Sequence, residues 1–242
     1  MSRPPVWARV TGALGEILIT LGVLLALFVV WQLWWTDVVA GREQAAVVSA
    51  LGWAEPVPDD TPRVGPAPDR DLAAAPVLPE PEHGATFAVL QVPRWGADHS
   101  APISQGTSKR DILDVLGLGH YEGTAMPGEV GNFAVAGHRT TYGAPLNRVA
   151  DLVVGDPLVV RTEDTWYVYR VTETRIVAPG QVEVIAPVPG APGEVPTVAA
   201  MTLTTCHPMF SARERFIVHA ELVQWLPTSE GAPAALDESP EA

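Results

Sequence analysis

The chain of 242 residues sets 15 Lys and Arg against 28 Asp and Glu, a formal net charge of -13, and it is 47% hydrophobic with 24 prolines. Phosphate binding needs concentrated cationic side chains, so this balance speaks against a nucleic-acid partner. One cysteine, Cys206, rules out an internal disulfide, and such a lone thiol in an oxidising compartment pairs between chains, stays buried as a small hydrophobe, or reacts.

Ile17 to Trp35 carries no charge, and at the helical rise its length spans roughly 28 Å, close to a bilayer's hydrocarbon thickness. Trp31, Trp34 and Trp35 gather at its end, where indoles favour the interface, with Arg3 and Arg9 before it and Asp37 after it. A transmembrane helix over 13–36 is expected, with 1–12 cytoplasmic and the remainder outside. A cleavable signal peptide is the competing reading, since Val38-Val39-Ala40 resembles a small-residue cleavage site. Either reading exports the rest of the chain.

Val38, Val39, Ala46, Val47 and Leu51 give a weak helical pattern after the span. Pro56, Pro58, Pro62, Pro66, Pro68, Pro76, Pro79 and Pro81 then stand among acids and alanines. That composition predicts an extended linker over 37–84 that holds a domain away from the membrane. The folded unit, 85–228, opens with a strand over Phe87–Pro93, a short extended piece over Ala101–Ser104, and a short helix over Ser108–Leu116 with Ser108 as N-cap. A loop punctuated by Gly117, Gly119, Gly123, Gly128 and Gly131 comes next. Strands are expected over Asn132–Ala136, Pro157–Thr162, Thr165–Val177, Thr197–Thr205 and Arg215–Trp225. Such strands joined by Gly and Pro turns specify an all-β barrel or sandwich, and 229–242 reads as an acidic flexible tail.

Side chains alternate along a strand, so phase separates candidate site residues from core. Thr204, Thr202 and Ala200 share the phase of Cys206, opposite Leu203 and Met201. His138 shares its phase with Ala136, Ala134 and Asn132, opposite Phe133 and Val135. Arg215 is in phase with Ile217 and His219, opposite Phe216 and Val218. Antiparallel neighbours would bring these strand ends around one groove, where an imidazole and a guanidinium can activate a thiol and stabilise an oxyanion. The bland alternative is a loop-edge histidine and an arginine on a solvated face.

TLTTC followed by Arg215, with NFAVAGHR upstream and the GHYEGTAMPG segment between Leu118 and Gly128, resembles the sortases, cysteine transpeptidases of Gram-positive cell surfaces. The resemblance implies an eight-stranded sortase-type β-barrel with short helices, with Cys206 as nucleophile, His138 as acid/base and Arg215 as oxyanion or substrate stabiliser. It implies no cofactor and no metal. Its substrates would be sorting-signal peptides cut between Thr and Gly, and its acceptor an amine on a peptidoglycan precursor or a pilin. TCHP and the GHY segment look most like class E, which implies a Leu-Ala-x-Thr-Gly signal with Tyr121 in its recognition. Thr204 and Thr205 are substrate-contact candidates, although β-propensity explains them equally well.

His207 neighbours the thiol but points the opposite way. His219 either borders the groove or is a satisfied structural histidine, while His83, His99 and His120 have no usable spacing. A pilin-polymerising sortase is disfavoured by the absence of an Asp-Pro-aromatic lid motif. An L,D-transpeptidase would show His-Gly-Cys, and a papain-like peptidase would place Cys before His. In the remaining alternative, a membrane-anchored binding domain, Cys206 is inert and resists methanethiosulfonate.

Overall fold

The computed structural model describes residues 6–238; Arg3 and the last four residues of the acidic tail lie outside the described residues. Helix α1, Val6–Ala50, contains the apolar span and runs on through the stretch expected to begin the linker. The docking face of that extension is made of Asp37, Ala40 and Gln44, spaced three and four apart and hence on one side of a helix. Ala40 and Gln44 are buried. Because the face is small and polar rather than apolar, the hydrophobic pattern there is weak.

Strands β2 (Thr86–Gln91), β3 (Ala101–Gln105), β4 (Leu118–His120), β5 (Gly131–Ala136), β6 (Pro157–Arg161), β7 (Thr165–Val177), β8 (Ala199–His207) and β9 (Glu214–Pro227) close a barrel in the order β2-β3-β4-β5-β8-β9-β7-β6. The interior is filled from the phase opposite the candidate site, with Phe133, Val135, Met201, Leu203, Val218 and Ala220 in one cluster. Tyr167 and Tyr169 are fully buried beside them. β4 falls within the stretch expected as glycine loop. It is three residues long, and a Cβ on Gly119 would collide with the Gly106 carbonyl.

The Pro-rich segment is extended, as its composition predicts, but it lies along the barrel rather than standing off from it. Arg63–Val64 (β1) pairs in parallel with Ala232–Pro233 (β10). Carbonyls left without sheet partners accept from barrel side chains: Gln224 donates to Val64 and Gly65, Trp225 Nε1 to Asp71 at 3.0 Å, and the Tyr167 hydroxyl to Pro76 at 2.6 Å. Proline's missing N–H keeps the segment out of the sheet and leaves its C=O groups as the available bonding atoms. The start of the tail is likewise packed, with Ala232 and Ala235 buried and Glu238 paired with Arg170.

Three histidines are held neutral by burial. His99, edge-on to Trp95 at 4.7 Å, is pushed down to about 4, and His120 and His219 are also lowered. In each case the unfolded chain, near 6.5, takes up the proton first, so stability is full above the unfolded value and falls as pH drops toward the folded one. The melting temperature is therefore expected to fall between pH 6.5 and 4. His99 alone accounts for about 3 kcal/mol at the acid end, and His99→Gln should flatten the slope; an unchanged slope would contradict this assignment.

Candidate active site

Two different pairings set the backbones of Cys206, His138 and Arg215 at the ends of neighbouring strands. β5 and β8 run parallel with Ala136 opposite Thr204, so His138 and Cys206, each two residues further on, leave the same end of adjacent strands. Two bonds extend that pairing past the strand ends: Gly137 N donates to Thr204 O at 3.1 Å, and Thr205 Oγ1 donates to Gly137 O at 2.7 Å. A Cβ on Gly137 would meet Leu118 at 2.5 Å and Leu146 at 3.0 Å, so a larger residue before the histidine would displace these buried leucines. β8 and β9 are antiparallel, with Cys206 directly opposite Arg215. The neighbour that brings His138 to the thiol is thus parallel, correcting the expectation of antiparallel neighbours throughout.

Cys206 is free and half-buried on the outer face of the barrel, in the phase of Thr204 and Thr202. The Tyr121 hydroxyl lies 3.0 Å from Thr204 Oγ1, making one wall beside the thiol. Behind it, Thr202 donates to Asn132 Oδ1 at 2.8 Å and lies 2.9 Å from His219 Nδ1, while Asn132 donates to Ala186 O. His219 is therefore a buried member of this network. Thr205, a candidate for substrate contact, is buried with its hydroxyl engaged on Gly137; what the structure gives it is a part in orienting the site.

Several residues at the site carried no sequence signal. His138 Nε2 lies 2.7 Å from Asp114 Oδ1, and Asp114 is also bound by Lys109 at 2.8 Å. Asp114 ends the helical turn Lys109–Leu113, capped by Ser108, 24 residues before the histidine, so no local spacing reveals it. This leaves the other ring nitrogen for proton transfer. The Tyr142 ring packs on the imidazole at 5.1 Å, and its carbonyl accepts from Gln44 Nε2 of α1 at 2.9 Å. Gly143, with φ +77 and Gln44 against it, completes that contact, its N–H donating to Asp37 Oδ1 at 3.3 Å. Arg139 donates to His207 Nδ1 at 2.7 Å, so the histidine beside the thiol is held in a separate pair.

The Arg215 guanidinium donates to Ala212 O and Glu214 O, both at 3.0 Å, and so folds over its own turn beside the thiol. Two clefts of ≈ 320 and ≈ 380 Å³ lie elsewhere, one by Trp53, Arg161 and Trp166, the other by Gln44, His99 and Gly143. Neither of these two contains Cys206. Among the described residues no cluster of three or more His, Cys, Asp or Glu is placed to hold a metal ion. What the arrangement can do is nucleophilic acyl chemistry, with a thiol, an imidazole oriented by a carboxylate, and a cation on the neighbouring strand.

The sortase domain family matches residues 90–223. The chain is 39% identical to sortase SrtE1 of Streptomyces coelicolor over 232 residues, 93% of this chain and 60% of that protein's length. Among solved structures it is similar to the SrtA sortase of Actinomyces oris, with TM-score 0.65 and 44% identity over 70% of this chain and 97% of that one. It is also similar to sortase E1 of S. coelicolor with a tripeptide in the active site, with TM-score 0.58 and 38% identity over 63% and 97% of the two chains.

The Asp114 carboxylate fixes the orientation of the His138 ring. Asp114→Ala is expected to slow alkylation of Cys206 by iodoacetamide at neutral pH, because the imidazole beside it loses the partner that orients it. An unchanged rate would show that the carboxylate and the thiol are not coupled.

Proposed function

The chain belongs to the sortase family, and from that premise we propose that it is a membrane-anchored cysteine transpeptidase acting on sorting signals. The observation that carries the reading is the pairing of two parallel strand ends that sets His138 beside Cys206, with Arg215 across the ladder. The thiolate of Cys206 adds to the Thr carbonyl of a Leu-Ala-x-Thr-Gly or Leu-Pro-x-Thr-Gly signal. Arg215 swings from its own turn to meet the oxyanion with backbone N–H groups. The tetrahedral intermediate collapses, the Thr–Gly C–N bond breaks, and protonated His138 gives its proton to the departing Gly amine. A cell-wall amine then attacks the thioester, His138 takes its proton, and the new amide leaves the thiol free.

Asp114 holds the imidazole through this exchange, and Tyr121 with Thr204 forms the wall along which the signal lies. The likeness to sortase E proteins supports the Ala-containing signal. The apolar span of α1 supports a single-pass anchor, with Arg3 and Arg9 on the cytoplasmic side and the barrel outside.

The test is incubation with both signal peptides and an amine acceptor, read by mass spectrometry. Ligated product is expected, the Ala-containing peptide being preferred. Cys206→Ala and His138→Ala should abolish product with the circular-dichroism spectrum unchanged, and Arg215→Ala should lower turnover about 10²–10³-fold. Near wild-type turnover by the Cys206 or His138 variant would overturn the assignment.

A further inference from the structure

Helix α1 fixes which end of the barrel faces the bilayer, an inference that rests on the anchoring reading above. Asp37 meets Gly143, in the loop that follows β5 at the Cys206 end. Past Ala50 the chain emerges beside Arg161, whose guanidinium stands 6.0 Å from the Trp53 ring. Arg161 closes β6. β6 is antiparallel to β7, β7 to β9, and β9 to β8, so the end of β6 lies at the opposite end of the barrel from Cys206. The helix therefore travels from the Cys206 end toward the far end, and its turns between Val6 and Asp37 project out past the Cys206 end. Trp35 is two residues from Asp37, roughly 3 Å along the axis. The loop that carries His138 thus sits at the height of the tryptophan cluster, where indoles settle in the headgroup region.

The same end exposes apolar side chains that none of the described residues covers. Met209 and Phe210 follow β8 and are 41% and 78% exposed; Val153 and Val154 precede β6, and Val182, 70% exposed, follows β7. Arg213 is exposed in the adjoining turn, and Arg148 and Arg175 are exposed while paired with Asp151 at 2.9 Å and Glu173 at 3.5 Å. The far end has exposed valines too, Val195 and Val198, so the direction of the helix, and not apolar exposure alone, decides the orientation. We propose that the Cys206 end of the barrel is a membrane-facing surface, with Phe210, Met209 and Val154 resting in the headgroup region and the exposed arginines meeting anionic phospholipid. Aromatic and aliphatic side chains beside cations are the composition that an anionic interface attracts. The thiol then works at the level of the bilayer surface.

The experiment uses the full chain with Cys206→Ala, to remove the native thiol, and a single new cysteine at one site: Phe210→Cys, Val154→Cys, or Val195→Cys as the far-end control. Each is labelled with an environment-sensitive nitrobenzoxadiazole dye and reconstituted into phosphatidylcholine–phosphatidylglycerol vesicles containing a doxyl-labelled lipid. Quenching is expected at 210 and 154, several-fold stronger than at 195, with all three proteins floating with the vesicles. Flotation with equal or absent quenching at 210 and 154 would overturn the orientation and leave the anchor standing. Failure to float would overturn the anchoring reading and this inference with it.

Discussion

The parallel pairing of β5 with β8 is the constraint on which the rest of the structure depends. Parallel neighbours leave the barrel at the same end, so fixing Ala136 opposite Thr204 commits the next residues, Gly137–His138 and Thr205–Cys206, to lie side by side. A parallel pair also requires a crossover connection. Here the crossover contains the loop packed against α1, β6 and β7, and the turn whose Val184 packs with Val177 and Ile217 over the outer face. The segment that makes the parallel pairing possible thereby covers part of the outer face and closes the barrel.

A second dependency runs from helix α1. Asp37 and Gln44 hold the backbone at Tyr142–Gly143, and the Tyr142 ring packs on His138. The imidazole is thus held between a carboxylate on one side, from the Lys109–Leu113 turn, and a ring whose backbone is tethered to α1 on the other. Rigid elements hold a catalytic group better than a free loop does, and here one of them comes from outside the barrel altogether.

Much of this is readable in the residues. Thr165–Val177 is legible to its boundaries, those of β7, because its alternating Trp, Tyr and Val residues carry the period-two signal strongly. Phase places Cys206 opposite Met201 and Leu203, which do fill the core. The unreadable parts share a physical cause. β4 is too short to show alternation, and Gly119 is there because of a close backbone approach. Asp114 meets His138 only through tertiary packing. The docking face of α1 uses Ala40 and two polar side chains, so it has no hydrophobic pattern to find. The sense of the β5–β8 pairing is a property of topology, invisible in either strand alone, and the linker meets the barrel partly through backbone carbonyls, which every sequence has, and partly through scattered side chains such as Arg70 over the Trp225 ring and Leu78 on the core, which follow no period.

The central claim is that Cys206 becomes acylated. It is met most directly by incubating the protein with a sorting-signal peptide and no amine acceptor, quenching in acid, and mapping the adduct by peptide mass spectrometry. The account predicts an added mass equal to the peptide through its Thr residue, confined to the fragment containing Cys206 and released by hydroxylamine. Accumulated cleavage product with Cys206 unmodified at every time point, or an adduct on any other residue, would contradict it.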